Sequence, residues 1–114
     1  SENAARKIAR RISQSPLVKT AFLGEDANWG RIASAAGSAG VKFDPGRVNI
    51  FFDNVAVVQN GVGLGPAAEK KAARVLGKDS FTMTLDLRSG KHSATAWTCD
   101  LTDEYIRINA SYRS

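Results

Sequence analysis

The sequence predicts an α+β domain: a mostly antiparallel sheet of about five strands covered by about three helices. Three observations carry that expectation. Apolar residues recur with a helical period near the N-terminus and again in mid-chain, whereas much of the second half alternates with a period of two. Two-residue turn signals separate strand-like segments, which favours antiparallel neighbours. The composition, 43% hydrophobic and 24% charged over 114 residues with 10 glycines and 3 prolines, is that of one globular domain, here residues 1–114.

Residues 2–15 read as an amphipathic helix, because Ala5, Ile8, Ala9 and Ile12 share one face while Arg6, Lys7, Arg10 and Arg11 lie on the other. Pro16 ends it. The like-charge pairs Arg6/Arg10 and Lys7/Arg11 each cost about 0.2–0.5 kcal/mol, so an acidic neighbour is expected over them. Leu17–Leu23 reads as a short extended stretch closed by Gly24. Asp26 is the expected cap of a second helix running to about Gly37, whose face of Ile32, Ala33, Ala35 and Ala36 has little bulk and implies close packing.

Val48–Phe52 and Val55–Val58 flank Asp53-Asn54 as a tight hairpin. Asn60-Gly61 then opens a glycine-rich stretch. Pro66 at a first helical position and Gly77 just past the end frame a third helix, residues 66–76, with Ala68, Ala72, Val75 and Leu76 inward. Phe81, Met83, Leu85 and Leu87 alternate with Thr82, Thr84, Asp86 and Arg88, a half-buried strand. A two-residue turn, Ser89-Gly90, is expected to pair it with Lys91–Cys99. Tyr105–Ala110 forms the last strand.

Several function classes drop out. One cysteine, Cys99, forms no internal disulfide, and with the single His92 it cannot complete a four-ligand zinc site. A reducing compartment is expected. The N-terminus has no basic-then-apolar signal pattern, and no apolar run approaches the roughly 20 residues that span a bilayer, so the reading is a cytoplasmic protein with no membrane partner. The formal net charge of +5 raises nucleic-acid binding, but the basic residues of the first helix lie among alanine and isoleucine with no aromatic residue before Phe22, so no nucleic-acid partner is expected.

Residue chemistry is sparse. Gly61-Val62-Gly63-Leu64-Gly65 lacks the Lys-Ser/Thr of a phosphate loop and the spacing of a dinucleotide fingerprint, so it reads as a connection between hairpin and helix. His92 reads as a surface or cross-strand residue and Cys99 as a small buried apolar one, and Asp86, Asp100, Asp103 and Glu104 as solvated strand ends. Two clusters stand out. Gly24–Arg31 gathers two carboxylates, an amide, an indole and a guanidinium at the start of a helix, as a capping and ion-pair network or part of a polar pocket. Asn109–Ser114 ends the sequence in side-chain donors and acceptors; if the strand before it is central, its amide, hydroxyl and terminal carboxylate suit a small zwitterion.

These clusters resemble the C-terminal part of the ornithine acetyltransferase family, the bifunctional glutamate N-acetyltransferases of arginine biosynthesis. The matching stretches are Ser15–Ala21, Gly24–Ile32, Ala96–Thr102 and Tyr105–Ser114, and the likeness covers essentially all 114 residues. It implies that the chain is the C-terminal lobe of the β chain of a precursor that cleaves itself before a threonine. That threonine takes acetyl from N-acetylornithine and passes it to glutamate by ping-pong acyl transfer with an oxyanion hole. No cofactor is implied, although some members accept acetyl-CoA. The implied partners are the remainder of the β chain and the α chain, in a heterotetramer of two of each.

The family's nucleophilic threonine, its oxyanion-hole threonine-glycine pair, and a substrate-binding lysine and glutamate have no counterpart here. No catalytic residue and no metal ligand is therefore assigned, and the isolated chain is expected to be inactive. Ser1 reads as a fragment boundary rather than a nucleophile. Two substrate-binding positions carry over with their spacing intact, Asn109 and Ser114; for Asn28-Trp29-Gly30-Arg31 no family role carries over. The alternative is a non-catalytic domain that binds a small ligand or a protein.

Overall fold

The computed structural model describes the backbone of residues 2–78, 80–88, 90–99 and 105–113, and side-chain surroundings for 3–78 and 80–88. The elements follow the order α1 (Glu2–Ser13), α2 (Pro16–Leu23), α3 (Trp29–Gly37), β1 (Asn49–Phe52), β2 (Val55–Gln59), β3 (Val62–Gly63), α4 (Pro66–Leu76), β4 (Ser80–Asp86), β5 (Gly90–Cys99) and β6 (Tyr105–Arg113). A 3₁₀ turn at Pro45–Arg47 precedes β1. The class is α+β as expected, with four helices and six strands among the described residues.

On α1 the predicted face is the buried one: Ala5, Ile8, Ala9 and Ile12 are all at most 2% exposed. The helix lies over β5 and β6. Burying Ile8 and Ile12 contributes about 1.5–3 kcal/mol each, which exceeds the like-charge cost on the outer face.

Leu17–Leu23, expected to be extended, is the body of α2. Pro16 both ends one helix and starts the next, since its fixed φ suits a first helical position. Ser15 caps it, its Oγ accepting the Val18 N–H at 3.3 Å, and Val18, Ala21 and Phe22 turn inward at helical spacing. The α3 cap also differs: helix begins at Trp29, and Asn28 rather than Asp26 supplies the capping oxygen. Ile32, Ala35 and Ala36 are its buried residues, with Ala33 half-buried.

The Asp53-Asn54 hairpin forms as expected, with Phe52 opposite Val55. A register shift between Ile50 and Phe51 leaves Val57 as an extra residue on β2, and both Val57 and Val58 are buried. The Gly-rich connection contains the short strand β3, which pairs with β2. Pro66 and Gly77 frame α4 as predicted.

The sheet order is β3-β2-β1-β4-β6-β5. All its pairs are antiparallel except β4 and β6, which run parallel. This corrects one expected pairing: β4 and β5 are consecutive in sequence but do not pair, because β6 lies between them. The expected Ser89-Gly90 turn falls partly on Ser89, outside the described residues, and β5 starts at Gly90. The last strand also extends beyond Ala110 to Arg113.

Helices and sheet share one apolar cluster. At its centre the ring of Phe22 meets Phe52 and Phe81 edge-on, with centroids 5.8 and 5.5 Å away. Along β4, Phe81, Met83 and Leu85 are buried while Thr82, Thr84 and Asp86 are half-buried, and Leu87 just past its end is buried too, as the alternation predicts.

Candidate functional site

The cluster at the start of α3 is organised by its cap. Asn28 Oδ1 accepts the Arg31 N–H at 3.3 Å, and Asn28 Nδ2 lies 3.5 Å from Asp26 Oδ2. Trp29 turns the other way, its Nε1 donating to Glu69 Oε1 of α4 at 3.3 Å. The indole lies against β3 so closely that a Cβ on Gly63 would stand 2.8 Å from Trp29 Cζ2. Arg31 reaches back to α2, Nη1 donating to the Leu17 carbonyl at 2.9 Å. Trp29 and Arg31, two residues apart, thus tie α3 to α4 and α2.

A cleft of about 460 Å³ opens where α1, α2 and α3 meet. Arg11 lines it from α1, its Nε donating to Ser38 Oγ at 2.8 Å, and Ser38 Oγ in turn donates to the Ala35 carbonyl at 2.8 Å. Among the described residues the partner of Arg11 is this hydroxyl, not the acidic neighbour expected over α1. Arg31 lines the same cleft from α3.

A second network locks the first hairpin. Asp53, at φ 50°, accepts the Thr82 N–H through Oδ1 at 2.8 Å and pairs through Oδ2 with Lys78 Nζ at 2.9 Å. Its own N–H donates to the Thr82 carbonyl at 2.7 Å. Partial burial pushes the Asp53 carboxyl up, but the Thr82 N–H and the Lys78 ammonium outweigh it and hold the carboxyl below its ordinary 3.8. Sequence reasoning took Asp53 as a turn residue only. An acidic residue at a hairpin tip, with Lys78 following a helix terminus, was the available signal.

Among the described residues, those singled out from sequence are not brought into one constellation. Asn109 stands in mid-β6, in register with Thr84 of β4 and Thr95 of β5. The condition set for the terminal cluster, a central strand, is met by β6, which is paired on both sides. His92 and Cys99 lie near opposite ends of β5, opposite Tyr112 and Tyr105. Asp86 Oδ1 accepts the Arg88 N–H at 2.9 Å, closing the end of β4. Ser1, Asp100, Asp103, Glu104 and Ser114 lie outside the described residues. Among the described residues, no group of three or more His, Cys, Asp or Glu side chains is placed to hold a metal ion, and no helix is long and apolar enough to cross a membrane.

Comparison with known proteins gives this arrangement its context. The sequence model of the ArgJ family matches residues 1–114. The arginine biosynthesis bifunctional protein ArgJ of Syntrophotalea carbinolica is 52% identical over 110 residues, 96% of this chain and 28% of that protein. Its namesake from Desulfotalea psychrophila is 49% identical over 110 residues, again 96% of this chain and 28% of that protein. The crystal structure of argJ from Bacillus halodurans superposes with a TM-score of 0.81 at 32% identity, covering 91% of this chain and 49% of that one. The chain thus spans 28% of the length of the first two relatives. With the family matched from end to end and about half of the aligned positions identical, the chain belongs to the ArgJ family.

Proposed function

We propose that the chain is the C-terminal lobe of the β chain of a glutamate/ornithine N-acetyltransferase acting in arginine biosynthesis. The observation that carries this reading is the family match over residues 1–114, in a chain that spans 28% of the length of the relatives named for that pathway. In the reaction, a threonine Oγ outside these residues attacks the acetyl carbonyl of N-acetylornithine. The C–N bond breaks, ornithine leaves with the proton, and an O-acetyl-threonine ester remains. The amine of glutamate then attacks that ester, forming N-acetylglutamate and returning the proton to the threonine hydroxyl. No cofactor enters this cycle; in family members that accept acetyl-CoA, that thioester acylates the same hydroxyl and CoA leaves as the thiol.

The role of these 114 residues is to complete the amino-acid site. Asn109 offers one acceptor and two donors on a single amide, which suits the carboxylate common to N-acetylornithine and glutamate and the ammonium of ornithine or glutamate, and the Ser114 hydroxyl offers a donor and an acceptor nearby in sequence. The inner position of β6 supports this use of Asn109, since a strand hydrogen-bonded on both sides holds its residues in a fixed register. The partners are the remainder of the β chain and the α chain, as a heterotetramer of two of each, in the cytoplasm. The isolated chain, lacking the nucleophile, is inactive.

The test is Asn109→Ala in the complete, self-cleaved enzyme. Loss of a hydrogen bond to a charged substrate group costs about 1.5–3 kcal/mol, so KM for N-acetylornithine and for glutamate should each rise about ten- to hundredfold. Unchanged KM for both substrates would remove Asn109 from the site.

A further inference from the structure

We propose that the cleft between α1, α2 and α3 binds a phosphoryl group. Two guanidinium groups line it, and among the described residues each makes one side-chain hydrogen bond, to a neutral oxygen: Arg11 to Ser38 Oγ and Arg31 to the Leu17 carbonyl. A guanidinium carries five N–H donors, so most of both forks is unused. Among the described residues, no Asp or Glu lines the cleft. Two positive charges lining one cleft of about 460 Å³ repel each other where no acidic residue of the described chain stands between them, and an anion bound by both reverses the sign of that interaction.

The backbone adds donors of the same kind. The cleft is also lined by Leu17 and Gly30, each the second residue of its helix, and neither N–H meets a protein acceptor among the described residues. Donors therefore come from three elements: Arg11 from α1, Leu17 from α2, and Gly30 and Arg31 from α3. One guanidinium fork satisfies a planar carboxylate, whereas a tetrahedral dianion presents oxygens in several directions and uses donors from all three helices. That difference favours phosphate over carboxylate. Inorganic phosphate and a phosphate monoester share the chemistry, and the experiment separates them.

The complete enzyme is titrated by isothermal calorimetry with inorganic phosphate and with ribose 5-phosphate, in sodium chloride of matched ionic strength, and its thermal midpoint is followed in parallel. Saturable heat and a saturable rise in midpoint are expected for at least one of them, the tighter ligand identifying the source. Arg11→Gln, at an exposed position, and Arg31→Lys, which keeps a donor for the Leu17 carbonyl but loses the fork, should each weaken binding about tenfold or more. Absence of saturable heat with both ligands overturns the proposal. So does wild-type affinity in both variants, which would place the bound phosphate elsewhere; should one variant fail to fold, the other decides.

Discussion

At the scale of single residues, side chains near helix and turn ends have the most to hold. Asp53 satisfies a backbone donor of another strand and meets an ammonium, at a tip whose φ of 50° favours Gly, Asn and Asp. Lys78 is 59% exposed, so the ion pair itself contributes little and the Thr82 N–H carries most of the effect. Asp53→Asn keeps the turn, since asparagine tolerates positive φ, and removes the charge. It should cost about 0.5–1.5 kcal/mol at neutral pH. Because the carboxyl is held below its ordinary 3.8, the stabilisation is fully present above that value and is lost as pH falls through the lower folded one. Urea unfolding of wild type and variant between pH 7 and 3 should therefore give curves that converge at the acid end; a gap that widens there contradicts the sign. Asn28→Ala should cost about 1 kcal/mol through loss of the α3 cap, read from the same unfolding curves.

At the scale of elements, local chemistry was legible and partner choice was not. Pro66 and Gly77 marked α4, the Asp53-Asn54 turn marked the first hairpin, and the alternation of β4 gave its buried face. Pro16 was read only as an ending, although Ser15 before it and the spacing of Val18, Ala21 and Phe22 were in view; two helices meeting at one proline leave one mark in the sequence. The insertion of β6 between β4 and β5 left no local trace. A short β4–β5 connection reads as a hairpin, yet its few residues can also span two strand spacings, roughly 9.6 Å. The close contact of α3 with β3 was equally non-local. It yields a test: Gly63→Ala would bring a Cβ to 2.8 Å from Trp29, whose indole is held by Glu69, and should destabilise by about 1–3 kcal/mol. The combination with Trp29→Phe, which removes the Glu69 bond and the benzo ring, should be less destabilising than the sum of the single changes.

At the scale of the whole molecule, the candidate substrate residues entered through the resemblance of the terminal motif to a family, because an amide and a hydroxyl near a chain end have no distinctive local signature. The fold explains how Asn109 can nevertheless be held firmly. β6 is hydrogen-bonded to β4 from Ser80↔Tyr105 to Asp86↔Ser111 and to β5 along nearly its whole length, whereas β3 pairs with β2 at only two positions on the sheet edge. Freeing the β6 amides requires separating two ladders and the cover of α1, so they should exchange with solvent only through opening of most of the domain. The β3 amides, at an edge and followed by exposed Leu64, should exchange by local fraying. In hydrogen exchange on the complete enzyme, residues 106–110 should be among the slowest of this region and 62–63 among the fastest. Equal rates in the two segments would mean that β6 opens independently of its neighbours, and a substrate amide on such a strand would have to be ordered by the ligand rather than by the sheet. The same measurement repeated with bound glutamate separates these cases: a strand already fixed gains little protection, and a strand that opens gains much.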